Sequence, residues 1–243
     1  MMIPSVGEGL KTVKGMALPF AMMYRTLARD FTVYVFSRRT VLALGMTTRD
    51  MAEDLNSAME QLHLSSVALV GVSQGGMISQ WLAIDHPDKV GKLVLTVTLS
   101  RPNDTIQDVI SRWLKMAEQG DYKGIMLDTA MRTYSEKRMK KAQLTYKILG
   151  SFGKPESFDR FIIQAQSCAT HDTYDLLDRI ACPTLIIGGK EDRIVTGSAS
   201  VEIAERIPGA QLYMYEDLGH GLYEEAPDFL SRVNDFCLSE VTL

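Results

Sequence analysis

Cysteine is scarce in this 243-residue chain, and the three present (Cys168, Cys182 and Cys237) show neither a CxxC spacing nor an even count. That argues against a disulfide framework and against a zinc site, and leaves buried free thiols in a reducing compartment. No basic block stands out against the net charge of −4, so nucleic acid is not an expected partner. No apolar run approaches the roughly 20 residues of a membrane span, and the first residues lack a basic segment followed by an apolar one. A cytoplasmic protein with no membrane partner is expected. Internal repeats and low-complexity tracts are also missing. What remains is 46% apolar and 23% charged, the balance of an ordinary globular protein. The length suits one α/β domain with an insertion and ample material for a core.

The most informative stretch is Gly71-Val72-Ser73-Gln74-Gly75-Gly76. It follows the apolar run Val67-Ala68-Leu69-Val70 and precedes Met77-Ile78-Ser79-Gln80-Trp81-Leu82-Ala83-Ile84, which reads as an amphipathic helix. Strand, sharp turn and helix with a serine at the turn is the setting of a nucleophile elbow. The serine there is forced into a cramped backbone conformation, and glycine on each side lets strand and helix approach. Its hydroxyl stands clear of the sheet, and the Gln74 N–H faces the same point at the helix N-terminus, where developing negative charge is favoured. The bland alternative is a glycine-rich turn whose serine merely caps the helix.

Through Gln74-Gly75-Gly76, His86-Pro87-Asp88-Lys89-Val90 and the strand Lys92-Leu93-Val94-Leu95, the chain resembles the α/β-hydrolase superfamily. The likeness is closest to small capped members such as esterases and enol-lactone hydrolases. It implies an α/β fold with a mostly parallel α/β-hydrolase sheet and a helical cap. Family members carry two further strands ahead of the short one that ends in Met1-Met2-Ile3, and then a His-Gly pair in the loop. Here both strands are missing, and Pro4-Ser5 stand at the place of the pair. In the family, the residue after the pair gives the second oxyanion N–H, which by position is Val6. A sheet edge left uncovered invites pairing with another chain, so a homodimer is an expectation too.

Helical spacing over Met16 to Asp30 puts Phe20, Met23 and Leu27 on one face, with Pro19 in the first turn. Phe31-Thr32-Val33-Tyr34-Val35-Phe36 is β-branched and aromatic and predicts a strand. The basic pair Arg38-Arg39 after it reads as loop-anchoring or solvated, with no catalytic role. Thr47 and Asp50 open the next helix, whose buried face is Met51, Leu55, Met59 and Leu62. Residues 102–178 then lose strand character and show repeated helical spacing, as at Ile106, Val109, Ile110 and Trp113. This insertion reads as a lid on a core formed by 1–101 and 179–243. Its methionines and aromatics (Met116, Met126, Met131, Trp113, Tyr122, Tyr134) are expected mainly in the core, with about a third touching a partly apolar substrate. The cluster Lys137-Arg138-Met139-Lys140-Lys141 reads as a solvated helix face.

Two further residues stand just beyond predicted strands. Asp192 follows Pro183-Thr184-Leu185-Ile186-Ile187-Gly188-Gly189, and His220 follows Gln211-Leu212-Tyr213-Met214-Tyr215 between two glycines. Open α/β sheets put their chemistry at that edge, and Ser, Asp, His is the order this superfamily uses. His63, His86 and His171 read as structural, and Glu224-Glu225-Ala226-Pro227 starts a last helix with Phe229, Val233 and Phe236 inward.

The expected chemistry is hydrolysis of a small carboxylic ester, or a related lactone, thioester or amide, through an acyl-enzyme. Ser73 is the nucleophile, His220 the base and Asp192 its orienting acid, with no metal or organic cofactor implied. On the same triad, an acyltransferase, a cofactor-free haloperoxidase and a carbon–carbon bond hydrolase stay open. So does a non-catalytic ligand-binding homologue. A histidine base predicts activity that rises through the range where imidazoles ordinarily lose their proton, about pH 6.5. A rate profile that stays flat from about pH 5 to 8 would count against that role.

Overall fold

The computed structural model describes residues 1–10, 12–140 and 153–240, so Lys141 of the charge cluster lies outside them. Five parallel strands form one sheet: β1 (Met2–Ile3), β2 (Val67–Val72), β3 (Val90–Thr96), β4 (Thr184–Gly189) and β5 (Gln211–Tyr215), in that spatial order. Neighbouring residues alternate between two buried faces. Leu69, Leu93, Leu95 and Ile186 join one apolar cluster, whereas Val70, Val94, Leu185 and Ile187 join another. A parallel sheet covered on both sides has no wet face, which is why its strands read as near-continuous Val/Ile/Leu runs.

The first face is covered by α2 (Thr48–Gln61), α3 (Gln74–Asp85) and Ile203 of α7 (Gly197–Arg206). Thr47 and Asp50 close a reciprocal capping box at the start of α2. The second face receives Phe229, Val233 and Phe236 of α9 (Phe229–Leu238). That helix does not begin at Glu224 as expected. A short α8 (Leu222–Glu225) precedes it, and Pro227 disfavours helical backbone at Ala226, where the two separate.

Four other expectations are corrected. The stretch after the elbow is not amphipathic: in α3 only Trp81 and Asp85 escape full burial, because sheet, α2 and the inserted helices surround it. The helix expected over Met16–Asp30 breaks into α1 (Ala17–Met23) and a 3-10 turn at Leu27–Arg29, with Leu27 buried but Met23 exposed. The strand expected over Phe31–Phe36 shrinks to one bridge between Val35 and Met2, held by Met2 N–H to the Tyr34 carbonyl (2.8 Å) and Phe36 N–H to the Met2 carbonyl (3.1 Å). β1 offers it only two residues of strand, so the ladder does not propagate. Finally, Arg138 is not merely solvated: it reaches Glu224 at 2.6 Å and covers the Tyr134 ring at 4.0 Å.

Between β3 and β4 the chain forms α4 (Asp104–Glu118), α5 (Tyr122–Thr133) and α6 (Asp159–Ala169), with a 3-10 turn at Tyr174–Arg179 and no strand among the described residues. Ile106, Ile110, Trp113 and Phe161 pack there with Val6, Met77 and Leu99, so the insertion shares a core with the carboxyl edge of the sheet. Among the described residues no helix is long and apolar enough to cross a membrane.

Two tests follow from this packing. A Cβ on Gly75 would stand 2.0 Å from the Ile3 carbonyl oxygen, which is backbone and cannot swing aside. Gly75→Ala should therefore lower stability by about 1–3 kcal/mol or more in urea titration; an unchanged midpoint would refute the contact. His171 is buried between Thr48 (2.8 Å) and Thr173 (3.3 Å), and burial pushes its imidazole down to about 3. The unfolded chain, near the ordinary value of about 6.5, takes up the proton first as pH falls. This contribution is thus intact above about pH 6.5 and lost progressively toward about 3, by roughly 2 kcal/mol between neutral pH and pH 5. The pH slope of stability should flatten in His171→Gln, and an equal slope in both proteins would contradict the assignment.

Candidate active site

The carboxyl ends of four strands deliver the candidate residues to one edge. β2 runs directly into Ser73, whose backbone takes φ 56° and ψ −118°, a region that costs of order 1–3 kcal/mol for a residue with a side chain. Surrounding bonds hold it there: Ser73 N–H donates to the Thr96 carbonyl (2.9 Å), and the Thr98 hydroxyl donates to the Ser73 carbonyl (2.8 Å). A Cβ on Gly71 would meet the Gly75 carbonyl oxygen at 2.5 Å, so the turn can close only because Gly71 lacks a side chain. Gln74 is the first residue of α3, where no intrahelical acceptor exists for its N–H.

Asp192 lies in the loop after β4 and His220 in the loop after β5. A Cβ on Gly219 would meet the Glu191 carbonyl oxygen at 2.6 Å, so glycine lets these two loops touch. His220 Nδ1 lies 2.8 Å from Asp192 Oδ2, and both side chains are almost wholly buried. The other carboxylate oxygen accepts N–H bonds from Ile194 (2.8 Å) and Val195 (3.0 Å), which fix its orientation. A carboxylate can only accept, so Nδ1 carries a proton, and in the neutral form of the ring Nε2 keeps its lone pair.

Ser73 and His220 open onto the same cavity of about 300 Å3, and Val6 lines it too. Asp192 stands behind His220, outside the lining. Gln74 turns its side chain away, accepting from Arg38 (2.8 Å) and donating to the Gln164 carbonyl (2.8 Å) and Ser167 hydroxyl (3.1 Å). The cavity wall is mainly apolar, and four of the six methionines and aromatics singled out in the insertion reach it: Trp113, Tyr122, Met126 and Tyr134. Met131 is exposed instead.

Three residues with no site role in the sequence also matter. Cys168 lines the cavity, but burial pushes its thiol up to about 12, so it stays neutral and is no rival nucleophile. Tyr223 lines the cavity and meets the Ser5 side chain; burial pushes its phenol well above the ordinary tyrosine value, leaving a permanent O–H donor. Its position three residues after His220 was the only signal. Arg38, of the pair read as loop-anchoring or solvated, is a buried anchor, whereas Arg39 is exposed and pairs with Asp54 at 2.6 Å. Among the described residues no group of three or more His, Cys, Asp or Glu side chains is gathered as a metal ion would need.

Strand order, elbow and insertion together define an α/β-hydrolase-fold protein. A sequence model of the alpha/beta hydrolase fold matches residues 15–122. The chain is similar to MGS-M2, an alpha/beta hydrolase enzyme from a Medee basin deep-sea metagenome library, with TM-score 0.84 and 20% identity over 98% of this chain and 89% of that one. It is similar to the enol-lactonase from Burkholderia xenovorans LB400, with TM-score 0.83 and 18% identity over 98% and 91%. Among curated proteins, a 2-hydroxy-6-oxononadienedioate/2-hydroxy-6-oxononatrienedioate hydrolase of Pseudomonas sp is 24% identical over 192 residues, 76% of this chain and 68% of that protein. The likeness to the α/β-hydrolase superfamily, and the fold it implied, are borne out.

Proposed function

We propose that this protein is a serine hydrolase that cleaves a small, uncharged carboxylic ester or lactone through an acyl-enzyme. One observation carries the reading: a serine at a strained elbow and a histidine bonded to a buried carboxylate face the same apolar cavity. His220 takes the Ser73 proton as the hydroxyl oxygen attacks the carbonyl carbon, then returns it to the leaving alcohol as the acyl–oxygen bond breaks. Asp192 holds the tautomer and stabilises the imidazolium without itself becoming protonated. The Gln74 and Val6 N–H groups receive the oxyanion, each such donor being worth about 3 kcal/mol of barrier. Water, activated by His220, releases the acid from Ser73. The helical insertion acts as a lid that keeps the reaction away from bulk solvent.

The enol-lactonase and the hydrolases among the relatives support the reaction class. The wall favours an uncharged substrate over the dienedioate named for the Pseudomonas protein. The described lining is mainly apolar side chains and hydroxyls, which suits an uncharged substrate. The volume lies at the lower end of the range for ligand pockets, which suits a small substrate.

A fluorophosphonate probe should label Ser73 and lose all labelling in Ser73→Ala. Chromogenic esters of graded length should be turned over, with kcat reduced by about 10⁴-fold in Asp192→Asn. Unlabelled wild-type protein would overturn the serine-hydrolase reading in favour of a ligand-binding role.

A further inference from the structure

Beneath the Pro4–Val6 loop, away from the cavity, lies a buried polar cluster that the reaction above does not use. Its centre is Arg38, whose side chain is 4% exposed. One nitrogen, Nη2, donates both to the Pro4 carbonyl (2.6 Å) and to Gln74 Oε1 (2.8 Å). These two acceptors belong to the two separate segments that present Val6 and Gln74. Glu8, four residues beyond Pro4, lies 3.6 Å from Arg38 Nη1 and is also bonded by Ser37 and by Arg160 of α6. Arg160 further donates to the carbonyls of Arg38 (3.1 Å) and Arg39 (2.9 Å). Arg38 Nη1 faces Glu8 as an ion pair without a hydrogen bond, and Nε is likewise unbonded, so Nη2 carries the hydrogen bonds of the guanidinium.

The loop has other restraints, in the Glu8 N–H on the Ser5 carbonyl (3.2 Å), Tyr223 at the Ser5 side chain and the close approach of Gly75 to Ile3, but none of these bonds it to the Gln74 side chain. β1 ends after two residues, Pro4 has no N–H to donate, and Ser5 caps no helix with its side chain. Oxyanion donors work only within about 2.7–3.1 Å of the developing charge, and a misplacement of about 1 Å can cost on the order of 100-fold in rate. A single group bonded to both donor-bearing segments sets their separation directly.

We propose that Arg38 is a positioning residue: by holding the Pro4 carbonyl and the Gln74 amide on one nitrogen, it sets the spacing of the Val6 and Gln74 N–H groups and so shapes the oxyanion hole. This rests on the serine-hydrolase reading. Burial brings the guanidinium down to about 10, still a cation at neutral pH and paired with Glu8. The same network reaches the insertion through Arg160, Gln164 and Ser167 of α6. Lid helix and oxyanion loop are therefore held in one frame.

The test compares wild type with Arg38→Met, Arg38→Lys and Arg38→Ala, with kcat counted per fluorophosphonate-reactive site so that unfolded protein drops out. The proposal expects kcat on a chromogenic ester to fall about 10- to 100-fold with KM within about twofold. It expects affinity for an alkyl boronic acid, which forms a tetrahedral adduct on Ser73, to weaken by the same factor. Added guanidinium should restore part of kcat in Arg38→Ala and nothing in wild type. Unchanged kcat per reactive site, or a loss confined to KM, overturns it even where the thermal midpoint drops. If Arg38→Met does not fold, Arg38→Lys carries the same readouts, because lysine's shorter side chain leaves its nitrogen short of the point where Nη2 holds both acceptors. Wild-type protein inert to the probe sinks the hydrolase reading itself and this inference with it. A labelled wild type matched by its Arg38 variants sinks this inference alone.

Discussion

The whole edge depends on how closely the elbow helix can approach the end of the first strand. At Gly75 there is no room for even one carbon beside the Ile3 carbonyl, and that contact seats the helix start against the loop that leaves β1. Ser73, Gln74 and Val6 are brought to one place by it, although they come from different segments. The strain at Ser73 is held by Thr96 and Thr98 at the end of the neighbouring strand, so it is the sheet and not the turn that keeps the hydroxyl outward. A conformation this costly persists only where its surroundings over-determine it.

Around that edge the protein separates groups that stay neutral from groups that carry charge. Cys168 and Tyr223 line the cavity and are held in their neutral forms by burial. The buried Asp192 is bonded by two N–H groups and an imidazole, while Glu8 and Arg38 neutralise one another on the other side of the loop. The insertion is tied to the histidine loop as well: Gly221 N–H donates to the Thr133 carbonyl at 2.6 Å, and Ser135 N–H donates to Glu225 at 3.0 Å. Helices supplied by the insertion are therefore joined to both the Gln74 side and the His220 side of the edge. Displacing them would disturb the placement of both.

Much of this was legible because local chemistry enforces it. Glycines at 71 and 75 around a serine admit few backbones, β-branched runs want a pleated and buried surface, and Thr47 with Asp50 announces a helix start. Where those local signals were ambiguous, reading the chain alone went astray. The stretch Phe31–Phe36 has the composition of a strand but too little partner to pair with, and α3 has polar residues that its neighbours bury anyway. Arg38 and Arg39 look alike side by side, yet one is interior, against Pro4 and Gln74, and the other is in solvent, paired with Asp54.

By itself the sequence determined the main strands and most of the helices, the elbow and the order in which nucleophile, acid and base candidates follow their strands. Those features arise within a few residues, from sterics and hydrogen bonds that a short peptide already contains. Only the tertiary structure decided that Asp192 and His220 are bonded, that Tyr223 and Cys168 share the cavity, and that one guanidinium joins the loop to the elbow. Such pairings depend on how helices pack across the sheet edge. Contacts between residues distant in the chain leave no periodic trace in either partner.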